Sequence, residues 1–226
     1  MNFDFPRVIR EATPLLWQGL QITAYVSAVS IVLGMIVGMF SCFMIISRWR
    51  VLRILAGSYV WVIRGTPMIV QAFFFFFGLG QVLTALGLPN ISRNMAGIIT
   101  VTLNAGAYFT EIFRGGIGAV HNGQTEAARS LGLSKPRTML MVILPQALRI
   151  SLPATVNQWI ISIKDTAILS AIAVGELMNR MQVYAFSTFV FFESFIYVAL
   201  WYLALLSALM IFAKKLEGWV KYDRKD

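Results

Sequence analysis

The sequence predicts an all-α fold: a polytopic membrane protein with five transmembrane helices, forming a single domain over 1–226. Three observations carry that reading. The 226 residues are 58% hydrophobic and 13% charged, with a mean hydropathy of +0.73, a balance that leaves several segments insoluble outside lipid. Apolar runs recur at the length a bilayer needs, about 20 residues rising about 1.5 Å each. The basic residues gather at the ends of those runs. In a soluble domain a net charge of +9 and a pI near 10.1 would suggest nucleic acid. In this placement they read as cytoplasmic anchors, and no nucleic-acid partner is expected.

The first span, 15–46, contains no charged residue. Residues 1–14 mix Asp4, Arg7, Arg10 and Glu11 with aromatics, and the apolar run after them is about twice a signal peptide's core length, so no cleaved signal is read. Gly34 and Gly38 make a Gly-xxx-Gly step, either a face for close helix approach or chance glycines in a glycine-tolerant lipid helix. Cys42, the only cysteine, allows neither an intrachain disulfide nor a cysteine metal cluster and reads as a small buried hydrophobe.

Arg48, Arg50 and Arg53 form a basic turn, and 54–63 reads as a short helix lying at the interface. The second span, 66–86, starts with Thr66 as its cap and Pro67 in its first turn, which keeps Arg64 at the membrane edge and out of hydrocarbon. The phenylalanine run 73–77 reads as a lipid-facing or packing surface. After a turn at 87–90 comes the third span, 95–113, whose Asn104, Gly106 and Ala107 give it a small, slightly polar face. Glu111 and Arg114, three apart, pair where it meets water.

The fourth span, 152–174, is unusually polar: Asn157, Gln158, Ser162, Lys164, Asp165, Thr166 and Ser170 all lie in it. Polar groups in hydrocarbon need partners, so this helix should face a protein interior or a watery cavity. Residues 176–188 read as a polar connection, 189–212 as the fifth span and 214–226 as a charged tail.

The polar interlude 117–150 belongs to one side of the membrane. Within it, Thr125 can cap a short helix, Glu126 sits where the helix dipole favours a carboxylate, and Gly132 falls where a left-handed terminating residue is wanted. Ser134 offers a second cap with Pro136 in the first turn, so a helix, a sharp turn and another helix are expected. Thirteen Lys and Arg lie on the side of this region, the 48–53 turn and the tail. Four (Arg7, Arg10, Arg93 and Arg180) lie opposite. That asymmetry places 117–150 and the C-terminus in the cytoplasm and the N-terminus outside.

Glu126-Ala127-Ala128, Gly132 four residues on, Val142, and Leu144-Pro145 match in spacing the EAA loop of ATP-binding-cassette importer permeases, with Val142 where the pattern has Ile. Arg64-Gly65-Thr66-Pro67, Glu111-Ile112-Phe113-Arg114-Gly115-Gly116-Ile117 and Lys164-Asp165-Thr166 resemble the polar amino acid branch of that family. The resemblance covers about residues 14–213. It implies the type I importer (MetI-like) permease fold in a bacterial inner membrane. It also implies a coupling role toward an ATPase for Gly123, Gln124, Glu126, Ala127, Ala128 and Gly132. The partners it implies are a dimer of cytoplasmic ATP-binding subunits, a second permease copy or paralogue, an extracytoplasmic solute-binding protein and an amino acid substrate.

The chain holds no Gly-Lys pair and hence no Walker A sequence, so ATP and Mg are expected in the partner ATPase and no cofactor in this chain. A single histidine, His121, read as a solvated loop residue, offers no metal set and no catalytic set, and the chain is not read as an enzyme. The candidate substrate pathway comprises Asn157, Lys164, Asp165 and Thr166, with Arg64 and Thr66. Lys164 and Asp165 point about 100° apart on a helix, so each needs its own partner. A zwitterionic amino acid could supply both charges; alternatively the three residues 164–166 form a structural network or gate. The competing function class is an ion-coupled carrier or channel subunit, with Lys164 and Asp165 as its ion site.

Overall fold

The computed structural model describes residues 4–222, all helices and connections with no strand among the described residues. Lys221's side chain and the tail's Arg224 and Lys225 lie outside them. The helices are α1 (Phe5–Ile45), α2 (Arg50–Gly65), α3 (Met68–Phe73), α4 (Leu79–Ala85), α5 (Arg93–Gly118), α6 (Asn122–Ser130), α7 (Lys135–Thr138), α8 (Leu144–Asp165), α9 (Leu177–Thr188) and α10 (Phe191–Tyr222). A π-helical turn joins α3 to α4 and another joins α7 to α8, while a 3-10 segment, Thr166–Ile172, extends α8.

Four of the described stretches are long and apolar enough to cross a bilayer: Phe5–Ile45, Met68–Ala85, Lys135–Ile172 and Phe191–Lys215. The third expected span, α5, is not among them although its 26 residues suffice in length. The reason is packing. Thr100, Thr102, Asn104 and Thr110 are all buried against neighbouring helices, so α5 need not be apolar to sit at the centre of the bundle.

α1 lies along α5 through a stripe of small residues that includes Ser30, Gly34 and Gly38. A Cβ built on Gly38 would stand 2.5 Å from the Phe109 Cβ and 3.0 Å from the Gly106 carbonyl oxygen. Gly34 and Gly38 are therefore a close-approach face, which settles the two readings left open by the sequence.

The sequence placed several boundaries differently. α1 begins at Phe5, not 15, and carries Pro14 in its interior. Burial of Val8, Ala12 and Leu16 against Leu177, Met181 and Tyr184 of α9 offsets the roughly 3 kcal/mol that an interior proline costs. The connection expected at 176–188 is α9 itself, which packs on α1. Helix also runs unbroken from Lys135 to Ile172, so the fourth span starts inside the region expected to precede it.

α2 packs against α5: the Tyr59 hydroxyl, midway along α2, donates to the Leu103 carbonyl over 2.7 Å.

Candidate functional site

Three arrangements carry chemistry, and the first is the elbow formed by α6 and α7. α6 is capped by His121, whose Nδ1 accepts the Gly123 N–H at 3.1 Å, and not by Thr125, which lies inside the helix. Both residue types can cap; His121 wins because extended backbone there aims its ring at Gly123, where a side chain would crowd it. At the other end Gly132 takes φ +79, the left-handed value foreseen for it. Its N–H reaches the Arg129 carbonyl at 3.0 Å and the Leu133 N–H reaches Ala128 at 3.1 Å, a Schellman closure that satisfies both carbonyls. Ser134 precedes α7 in extended backbone, with Pro136 in the first turn, but its side chain makes none of the capping hydrogen bonds expected of it.

Of the residues expected to couple, Gln124, Glu126 and Ala127 are exposed, while Gly123 is half-buried. Ala128 is 4% exposed and packs against its own chain. Gln124 is tied to α8, its Oε1 accepting from Gln146 at 3.3 Å. Leu131, 83% exposed at the tip, went unnoticed in the sequence, where an isolated leucine beside a glycine carries no signal of its own.

The second arrangement is a break in helix at Thr66 and Pro67. The residue before a proline is pushed out of the helical region, and Thr66 sits at φ −118, ψ 143. Thr66 is consequently the end of α2 and not the cap of the next helix; its hydroxyl donates back to the Val62 carbonyl at 2.8 Å. The carbonyls orphaned by the break are met by Gln71, whose amide lies 2.8 Å from the Ile63 oxygen and 3.1 Å from the Thr66 oxygen. Gln71 was missed, although an amide in the apolar run 68–80 was a signal that could have found it.

Arg64 stands apart from the polar part of α8. Its guanidinium lies over the Tyr108 ring, 5.2 Å from the centroid, and lines a cleft with Arg53 and Glu111. Glu111 pairs with Arg114 as expected, at 3.1 Å to Nε.

The third arrangement is the polar part of α8. Its side chains divide between two faces. Gln158, Ser162 and Thr166 are buried, with Gln158 donating to Ser162 at 3.3 Å and Thr166 donating to the Ile163 carbonyl at 2.7 Å. Asn157 and Lys164, seven residues apart and so on one face, are exposed; Asp165 is half-buried. The stripe does not continue to Ser170 in α-helical register, because the 3-10 segment begins at Thr166. Among the described residues neither Lys164 nor Asp165 joins an ion pair.

A buried carboxylate beyond these was also missed. Glu176, 0% exposed, caps α9 by accepting the Met178 and Asn179 N–H groups at 2.9 and 2.7 Å, and accepts the Tyr202 hydroxyl at 2.8 Å. Burial pushes its pKa above the usual carboxylate range, against the opposing pull of those three donors.

Comparisons with known proteins place this geometry. The family described as "Binding-protein-dependent transport system inner membrane component" matches residues 30–222. The glutamine transport system permease protein GlnP of Escherichia coli (strain K12) is 37% identical over 221 residues, 98% of this chain and 99% of that one. The arginine transport system permease protein ArtQ of Bacillus subtilis (strain 168) is 35% identical over the same shares. A solved structure described as an amino acid ABC transporter with histidines superposes with a TM-score of 0.88 at 34% identity, covering 96% of this chain and 99% of that one. The MetNI methionine ABC transporter, at 19% identity and a TM-score of 0.74, shares the fold.

Proposed function

Because the chain belongs to the family of binding-protein-dependent transport system inner membrane components, we propose that it forms the translocation pathway of an ATP-driven importer of polar amino acids and receives work through the α6–α7 elbow. It is a multi-pass transport subunit of the inner membrane and not an enzyme; hydrolysis in such importers belongs to a separate subunit. ATP and Mg are accordingly assigned to that partner. The named relatives transport glutamine and arginine, which supports a polar amino acid as substrate.

The observation that carries the coupling role is the continuity of helix from the elbow to the polar face. Helix runs from Lys135 to Ile172 through the π-helical turn, and within it lie both α7, next to Gly132, and the Lys164–Asp165 pair. From Lys135 to Asp165 the rod is about 45 Å long at about 1.5 Å per residue. No loop separates the elbow from Lys164 and Asp165, and the π-helical turn and Pro153 are the points at which this helix can bend as the elbow moves.

In this reading Glu126, Ala127 and Leu131 face the ATPase, while Gly123, Ala128, Gly132 and the Gln124–Gln146 bond keep the elbow rigid. Asn157 and Lys164, exposed on a helix that lies in lipid, face the pathway and a second permease copy or paralogue, because an ammonium left against acyl chains is costly. Asp165, half-buried, borders that face, while Thr166 is buried with Gln158 and Ser162 on the other side of the helix and braces it. An extracytoplasmic solute-binding protein delivers substrate to the outer side, where the N-terminus lies. ATP binding and hydrolysis then rock the paired rods between outward and inward access.

Co-purification with mass spectrometry tests the reading. An ATP-binding subunit and a retained amino acid should accompany the chain; recovery of the chain without any ATP-binding partner would count against it.

A further inference from the structure

A cleft of about 540 Å³ opens between the end of α1, α2 and α5, away from the polar face of α8. Its lining includes Arg53, Gly57, Trp61, Arg64 and Glu111. Glu111, the acidic member, is already engaged by Arg114, and among the described residues neither Arg53 nor Arg64 has a carboxylate partner. The cleft thus carries two uncompensated guanidinium groups.

Its floor is open. A Cβ built on Gly57 or on Gly65 meets nothing within 4 Å. Its rim is apolar and outward-facing: Trp61 is 78% exposed, with Ile54 and Leu55 more than half exposed on the same helix. Cations set beside an exposed apolar face, at the end of α5 where Glu111 and Arg114 meet, are the pattern of a surface that meets headgroups and acyl chains together.

We propose that this cleft binds an anionic phospholipid, its phosphate held by Arg53 and Arg64 and its acyl chains against Trp61. The recognising chemistry is a phosphate monoanion. A free phosphate would satisfy the guanidiniums and leave the apolar rim bare; a phospholipid covers both. Arg64 then belongs to a lipid site and not to the substrate pathway, and Tyr108 beneath it holds the guanidinium by cation–π contact. The site depends on the chain lying in a membrane and not on the coupling role of the elbow.

Native mass spectrometry of the assembled transporter in detergent, loaded with phosphatidylglycerol or phosphatidylcholine, tests it. Phosphatidylglycerol should stay bound under conditions that strip phosphatidylcholine, and Arg53→Gln should lower its retention about fivefold. Gly57→Leu, which leaves every charge in place and extends into open space, should block the cleft and lower retention likewise; it carries the test if Arg53→Gln does not fold. Unchanged retention in the folded variants would overturn the site. Displacement of the lipid by excess inorganic phosphate would overturn the lipid assignment in favour of a small-anion site.

Discussion

Asn104 on α5 donates its side-chain amide to Gln71 Oε1 over 3.3 Å, and Gln71 in turn donates to the carbonyls at the broken end of α2. One amide pair thereby joins the central helix to the helix break beside it. Backbone groups freed in an apolar surrounding must be met by something, and Gln71 replaces the helical bonds that Pro67 cannot supply.

Replacing Gln71 with Leu keeps the bulk and removes the donors. The Ile63 carbonyl and the Asn104 amide would then be buried without partners, at a cost of about 1–3 kcal/mol. The melting temperature of the purified complex should fall, and Asn104→Leu combined with Gln71→Leu should cost less than the two single changes added together, which a double-mutant cycle measures.

Two glycines should respond in opposite directions. At Gly38 a side chain meets the Phe109 Cβ and rigid backbone, so Gly38→Val should destabilise by about 3 kcal/mol or more. At Gly57 there is open space within a helix, and Gly57→Ala should stabilise by about 0.5–1 kcal/mol. Thermal denaturation of the two variants side by side checks both signs.

Much of this architecture was legible beforehand because it rests on local rules. Gly132 was found because few other residues accept a positive φ at a helix end, and four of the five spans stand out by apolar length. What escaped notice depends on burial between distant segments. Glu176 looked like part of a polar connection, and only the packing of α9 on α1 and α10 makes it a buried cap. The first span was read from 15 because charged residues precede it, whereas the contacts of Val8, Ala12 and Leu16 that carry the helix back through Pro14 are not visible in sequence. Gln71 and Asn104, 33 residues apart, likewise meet only in the folded chain.

Glu176 should give the fold a pH dependence. Its pKa is raised by burial, so the folded state favours the neutral acid. The associated stability is complete below the ordinary carboxylate pKa and is lost as pH rises through the raised value. Unfolding of the purified complex followed from about pH 4 to 8 should show that decline, and Glu176→Gln, which cannot ionise, should flatten it.

Gly132→Val places a β-branched residue at φ +79, where the left-handed backbone costs about 1–2 kcal/mol, and should splay the elbow. ATP hydrolysis should persist in the assembled variant while amino acid uptake falls by at least about tenfold. Normal uptake would remove Gly132 from the coupling machinery.

The central claim is that force reaches this pathway from a separate ATPase. Reconstitution into liposomes tests it most directly, comparing uptake of a radiolabelled polar amino acid by the chain alone with uptake by the complete assembly. The assembly should accumulate substrate only when ATP is present on the elbow side, and the chain alone should neither hydrolyse ATP nor accumulate substrate under an ion gradient. Gradient-driven uptake by the chain alone would contradict the claim and restore the ion-coupled carrier reading.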